Sequence, residues 1–178
     1  KKAPTDEQVL ASVIENNKNK PVKIRSTNGV LVNGVVDVTV RFSRCCSPVP
    51  GDEIVGFITR GRGISIHRTD CVNVIALPES EKSRLVDVEW QQESFHSNEK
   101  FMAEIKIFCN NRIGIFADIS KIFTEREIDI ASMSSKTSKQ GTATINMSFE
   151  VGGVDALQQL INRLMAVNSV IDIERTTG

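Results

Sequence analysis

Apolar and polar residues alternate through VKIR and then GVLVNGVVDVTVRF, where Val36, Val38, Val40 and Phe42 stand against Asp37, Thr39 and Arg41. That alternation marks strands with one buried face and one wet face. Asn28-Gly29 and Asn33-Gly34 supply the residue types that tight hairpin turns need. Glu53 to Thr59 and Ile64 to Ile66 read as further strands around an Arg60-Gly61-Arg62-Gly63 loop. His67 to Val72 is expected to form one helical turn, and Val74 to Leu77 a short strand stopped by Pro78. Glu79 to Arg84 reads as a polar connector and Leu85 to Trp90 as an edge strand. At the start, residues 3–17 have helical spacing, with Val9, Leu10, Val13 and Ile14 in one stripe and Thr5 with Gln8 as a capping box.

Beyond a polar stretch, QQESFHSNEK, the periods change. Phe101 to Phe108 alternates as a strand. Ile115, Phe116, Ile119, Ile122 and Phe123 recur at helical spacing within Ile113 to Glu127. Ile128 to Lys136 and Thr142 to Val151 are strands joined by a KTSKQG turn, and Asp155 opens a helix with Leu157, Leu160, Ile161, Leu164 and Met165 inward. Val170 to Glu174 is the last strand. The order βαββαβ is a split βαβ, or ferredoxin-like, arrangement. The expected class is α+β, a small β-rich domain followed by a ferredoxin-like one. The expected divisions are 1–20 as the tail of an upstream helical region, 21–90, a linker at 91–99, and 100–178. Lys1 follows no initiator methionine, so the chain is read as a piece of a longer protein.

Composition adds boundaries. An apolar share of 40% and a charged share of 25% are those of an ordinary globular chain. No run of about 18 apolar residues exists to span a membrane, and the N-terminus lacks an export signal's apolar core. Four cysteines in such a chain favour reduced thiols or metal ligation, which points to the cytoplasm. Net charge is zero, against a general polyanion binder. Locally, though, Arg41, Arg44, Arg60, Arg62 and Arg68 outnumber Asp52 and Glu53.

The candidate chemistry is concentrated between Cys45 and Cys71, in CCSPVPGDEIVGFITRGRGISIHRTDC. Cys45, Cys46, His67 and Cys71 make a Cys3His set, the ligand number and type of tetrahedral zinc. His67 and Cys71, four apart, would share one face of a helical turn. Cys45 and Cys46 are adjacent, so the chain must bend, and Ser47-Pro48 can provide the bend. The alternatives are buried free thiols beside a surface histidine, or a nucleophilic cysteine served by His67 and Asp70. Cys109 reads as core. The loop between the ligands has two glycines and flanking arginines but no Lys-Ser/Thr, which excludes a nucleotide P-loop. It suits RNA backbone contact, or else is a plain hairpin tip. A second candidate is Asn110-Asn111-Arg112-Ile113-Gly114-Ile115, joining a strand to a helix N-terminus. An amino acid fits there if its carboxylate meets the N–H groups and its ammonium meets Asp129 or an Asn side chain. A tight turn without ligand is the alternative.

The run from Cys45 to Asn73, the later LVDVEW and the NRIGIFADIS segment together resemble the C-terminal regulatory half of the long RelA/SpoT homologues, the ppGpp synthetase/hydrolases of the bacterial stringent response. The resemblance implies a zinc-finger or conserved-cysteine domain around Cys45, Cys46, His67 and Cys71, then an ACT domain also described as an RRM. It implies docking on large-subunit ribosomal RNA with sensing of deacylated tRNA, and relay to the parent's own N-terminal catalytic domains. By position, Arg60, Arg62, His67 and Arg68 become candidate RNA contacts. Asn110, Asn111, Arg112 and Gly114 become candidate contacts for a branched-chain amino acid, and pairing of ACT domains implies a homodimer. The parent would be a GTP pyrophosphokinase and ppGpp hydrolase. This stretch, without the hydrolase's His-Asp pair, is expected to catalyse neither reaction.

Overall fold

The computed structural model describes residues 23–25, 29–33 and 39–177. The helix expected over 3–17, the turn residues Asn28 and Gly34, and Val36, Asp37 and Val38 lie outside the described residues. Two compact units emerge, one of the described residues up to Pro48 with Asp52–Ser97, the other of Val49–Gly51 with Asn98–Thr177.

In the first unit, β1 (Lys23–Arg25) pairs with β2 (Val30–Asn33), which pairs in turn with β7 (Val88–Trp90). A second sheet runs in the order β3 (Val40–Phe42), β5 (Ile64–Arg68), β4 (Ile54–Ile58), β6 (Leu85–Val86). β4 and β5 are the arms of a hairpin, but β3 lies parallel to β5, with Val40 opposite Ile64 and Phe42 opposite Ile66. β-branched side chains from both sheets, Val30, Val32, Ile58, Ile64, Ile66 and Val88 among them, meet in one core. Asp87 alone separates β6 from β7. The expected edge strand over Leu85 to Trp90 is therefore two strands, one at the edge of each sheet.

Two local expectations are overturned here. His67 and Arg68 end β5 rather than opening a helical turn. Thr69 N donates to Glu53 O (3.0 Å) and Cys71 N to Arg68 O (3.1 Å), which turns the chain. Helix α1 (Val72–Ile75) then stands where a strand over Val74 to Leu77 was expected, with Val74 N and Ile75 N both donating to Cys71 O. Periodicity alone does not separate a short apolar strand from one buried or capped helical turn. The polar connector holds a second short helix, α2 (Glu79–Lys82).

The β4–β5 hairpin tip is closed by Thr59, whose N and Oγ1 donate to Gly63 O at 2.9 and 2.6 Å. Gly63 has φ 79, and a Cβ on it would stand 2.1 Å from Thr39 O. Gly63→Ala is therefore expected to destabilise the unit by about 2 kcal/mol or more, from left-handed strain plus a backbone clash. A lowered urea midpoint with an unchanged slope would show it.

The second unit follows the order read from the sequence: β8 (Phe101–Asn110), α3 (Ile115–Glu125), β9 (Ile130–Thr137), β10 (Thr142–Val151), α4 (Val154–Met165), β11 (Val170–Arg175). The sheet order is β11-β8-β10-β9 and every neighbour is antiparallel, a ferredoxin-like sheet in an α+β chain. Alternation buries Ala103, Ile105 and Ile107 opposite Phe149, Met147 and Ile145. Ile115, Ile119, Ile122 and Phe123 of α3 and Leu157, Leu160 and Leu164 of α4 complete this core. Met165, placed inward by its spacing, is instead 41% exposed at the end of its helix. No described helix is long and apolar enough to cross a membrane.

Candidate metal centre

The parallel pairing of β3 with β5 decides where the cysteines go. Parallel strands finish at the same end, so the segment leaving β3 lies beside the last residues of β5. Ser43 N continues the ladder by donating to Ile66 O (2.9 Å). The chain then closes one turn, Ser47 N donating to Ser43 O (3.0 Å), with Ser47 in the left-handed region at φ 45. A non-glycine residue held there costs of order 1 kcal/mol, a strain that tends to be kept at functional sites. Within that turn Cys45 and Cys46 no longer point to opposite faces, as they would in a strand. Both sulfurs meet His67 from the end of β5 and Cys71 from the turn before α1. One ligand atom from each of the four lies within 4.8 Å of all the others, a group that could hold a metal ion. Cys45 Sγ is 3.4 Å from Cys71 Sγ and 3.4 Å from His67 Nδ1, and Cys46 Sγ is 3.9 Å from His67 Nδ1.

Electrostatics separate the thiols. Burial pushes Cys46 up to about 12, helped by the neighbouring Cys45 and Cys71 and opposed by the Arg68 N–H. Cys71 is raised by burial and by Cys45, against the N–H groups of Asn73 and Val74. For Cys45 burial also raises, but hydrogen bonds from Ser43, Asn73, Cys71 and Cys46 outweigh it and leave the thiol below its ordinary value. Burial lowers His67, which keeps the imidazole neutral and able to ligate. Three adjacent thiols resist becoming three adjacent thiolates. A divalent cation reverses that balance, because it makes each thiolate attractive to the site.

The surrounding donors were not singled out in the sequence. Arg68 N donates to Cys46 Sγ (3.3 Å), and Ser43 Oγ is 2.9 Å from Cys45 Sγ. Ser65 Oγ is 3.1 Å from His67 Nε2. With Nε2–H donating to that hydroxyl, Nδ1 keeps its lone pair toward the sulfurs. The signal was present in ISIHR, since alternation puts Ser65 and His67 on the face opposite Ile64 and Ile66. Ser65→Ala is expected to weaken metal affinity about 10–100-fold while leaving the fold intact, measured by competition with a chelator.

The arginines divide. Arg60 and Arg62 are exposed at the closed end of the β4–β5 hairpin, Arg60 with its side chain 77% exposed and 3.4 Å from Glu81 Oε1. The cysteine cluster is at the open end, where Ile54 faces Arg68. Arg68, read as an RNA contact, is buried instead: Nη1 donates to Cys46 O (3.4 Å) and Nη2 to Asp70. Its guanidinium braces the cluster and does not face solvent. His67, also read as an RNA contact, turns one nitrogen to the sulfurs and the other to Ser65.

In the second unit Asn110, Asn111, Ile113 and Gly114 are exposed, whereas Ile115 is buried. Gly114, at φ 82, precedes α3 in the left-handed conformation. Arg112 already has partners, its Nη2 meeting Asp118 Oδ2 (2.6 Å) and Asn168 O (3.0 Å) and its Nε meeting Ser169 Oγ (3.2 Å). Asp129 does not join this group. β8 ends beside Thr142 but β9 begins with Ile130 beside Phe149. At about 3.3 Å per residue that places Asp129 roughly 23 Å along the sheet. β8 and β9 are parallel, so α3 must carry the chain back to the far end before β9 starts. The expected adjacency of Asp129 to the Asn110 loop is thus corrected by topology.

Compared with known families, residues 30–91 match the RelA/SpoT RIS domain and residues 97–175 the ACT domain. The GTP pyrophosphokinase of Streptomyces coelicolor is 37% identical over 150 residues, 84% of this chain and 17% of that protein. The bifunctional (p)ppGpp synthase/hydrolase RelA of Mycobacterium tuberculosis is 35% identical over 160 residues, 89% of this chain and 21% of its own length. The chain thus spans about a fifth of the length of the curated relatives it matches. A crystal structure of the ACT domain from the GTP pyrophosphokinase of Chlorobium tepidum aligns with 43% of this chain and 99% of its own, at 26% identity and a TM-score of 0.39. With both family models in succession and relatives that match across them, the chain belongs to the RelA/SpoT family, as part of its C-terminal regulatory region.

Proposed function

We propose that this region docks on RNA through a zinc-clasped platform and relays that contact to catalytic domains elsewhere in the parent protein. The observation that carries the reading is the convergence of Cys45, Cys46, His67 and Cys71, from three separate segments, to within 4.8 Å. Zinc suits three sulfurs and one imidazole, and bonds of about 2.0–2.3 Å in a tetrahedron set the donors roughly 3.5–3.8 Å apart. Cys45 lies 3.4 Å from both Cys71 and His67 and Cys46 lies 3.9 Å from His67, close to those values, and the other pairs lie within 4.8 Å. Four protein donors leave no open position, so bound zinc supplies a structural cross-link rather than Lewis-acid chemistry. Cys45 and Cys46 hold the turn after β3, while His67 and Cys71 hold the open end of the hairpin whose closed end carries Arg60 and Arg62.

Those two exposed arginines are the phosphate-contacting groups of this reading, with large-subunit ribosomal RNA and deacylated tRNA as partners. Arg68 and His67 serve the clasp. The parent's reaction, by the names its relatives carry, is synthesis or hydrolysis of (p)ppGpp, and this region acts on it from outside the catalytic domains. The test is ribosome co-sedimentation with Arg60→Glu plus Arg62→Glu. Pelleting is expected to fall, and the slope of log affinity against log salt to shrink by about 2, with the circular dichroism spectrum unchanged. Unaltered pelleting would remove the RNA role from the loop.

A further inference from the structure

We infer that Cys45 is a modification site for hydroperoxides, and that Cys71 completes the reaction as its partner in an intrachain disulfide. The inference deepens the zinc reading of the same cluster, and zinc enters only as the ion that oxidation expels. Accessibility singles out one sulfur. Cys45 is partly exposed, whereas Cys46, Cys71 and Cys109 are buried. Distance singles out its partner. Cys45 Sγ and Cys71 Sγ are 3.4 Å apart, so a disulfide near 2.05 Å needs them to close by only about 1.4 Å.

The other pairings are disfavoured. A bond between Cys45 and Cys46 would join sequence neighbours in a strained eight-membered ring, with Cα atoms about 3.8 Å apart against the usual separation of about 4.4–6.8 Å. Cys46 Sγ is also held by Arg68 N at 3.3 Å, and its backbone carbonyl accepts from Arg68 Nη1 at 3.4 Å. Cys109 belongs to the other unit and donates to Ala143 O.

The steps balance. The Cys45 sulfur attacks the distal oxygen of a hydroperoxide ROOH. The O–O bond breaks, and the alkoxide takes a proton from water to leave as ROH, with Cys45 as the sulfenic acid. Cys71 sulfur attacks Cys45 sulfur and expels hydroxide, which takes up a proton and leaves as water. Two thiolates have lost two electrons, and the peroxide has become an alcohol and a water. Cys46 and His67 then remain as the only two donors. The turn after β3 and the turn before α1 stay joined, but by a covalent bond that a reducing thiol opens.

The full chain, zinc-loaded and chelator-stripped in parallel, is treated with hydrogen peroxide, alkylated, digested without reductant and mapped by mass spectrometry. A chromophoric chelator follows zinc release. A Cys45–Cys71 cross-linked peptide, reversed by dithiothreitol, is expected in both preparations, with zinc appearing at the rate of the cross-link in the loaded one. Cys45→Ser loses the cross-link and Cys109→Ser keeps it. Cross-links of Cys46, or sulfinic acids without any cross-link, overturn the assignment in the unmutated protein, whatever the folding of the variants. Protein that purifies without zinc defeats the metal reading alone, since the stripped arm still reports the disulfide.

Discussion

Cys71→Ser is expected to purify without metal and to melt far below the parent chain. A metal at a thousandfold excess over its Kd contributes about 4 kcal/mol to the folded state. In a unit of this size each kcal/mol moves the midpoint by about 4–8 °C, so a drop on the order of 15–30 °C is expected for the first unit's transition. The loss is large because Cys71 ties the turn before α1 to the turn after β3, beyond the reach of the β3–β5 ladder, whose last bond runs from Ser43 N to Ile66 O. Cys109→Ser is the control. Its sulfur lies in the other unit and donates to Ala143 O at 3.6 Å, so metal content should not change. Metal analysis beside scanning calorimetry reads both outcomes, and full metal occupancy in Cys71→Ser would remove that residue from the ligand set.

The second large effect belongs to the ferredoxin-like unit. Phe149→Ala is expected to cost about 3–5 kcal/mol in urea unfolding. Phe149 is fully buried on β10, and its ring meets Phe123 of α3 edge on, with centroids 5.1 Å apart and planes at 70°. Truncation leaves a cavity at the contact between sheet and helix, where neither can collapse without breaking strand pairing on either side. Met102→Ala, on the other face of the same sheet and 43% exposed, should stay within about 0.5 kcal/mol. Equal effects for the two would mean that the core does not sit on the Phe149 face.

The two halves of the chain differed in how openly they could be read. From Phe101 onward the strands are ten residues long in β8 and β10 and the helices eleven and twelve, so each repeats its period several times. Long amphipathic segments announce themselves because burial of one face acts on every turn or pleat. In the first unit the strands have two to five residues, too few to show a period. There the apolar run Val74 to Leu77 passed for a strand, and Leu85 to Trp90 for one strand instead of two. Arg68 followed the same logic. Its place among arginines suggested a solvent-facing contact, while the fold turned its guanidinium inward to Asp70 and Cys46 O.

Residue type and spacing by themselves determined the element order of the second unit, the membership of the four-residue cysteine and histidine cluster, and the kinship with RelA/SpoT proteins. Each of these is written in local patterns or in a short run of side-chain chemistry. Only the tertiary structure decided how the cluster closes: the parallel pairing of β3 with β5 brings Cys45 and Cys46 to His67, and a turn after the end of β5, rather than one helical turn from His67, brings in Cys71. It alone also decided that Asp129 and Asn110 stand at opposite ends of one sheet. Strand pairing joins residues far apart in the chain, and no local window of side chains carries the direction in which two strands will run.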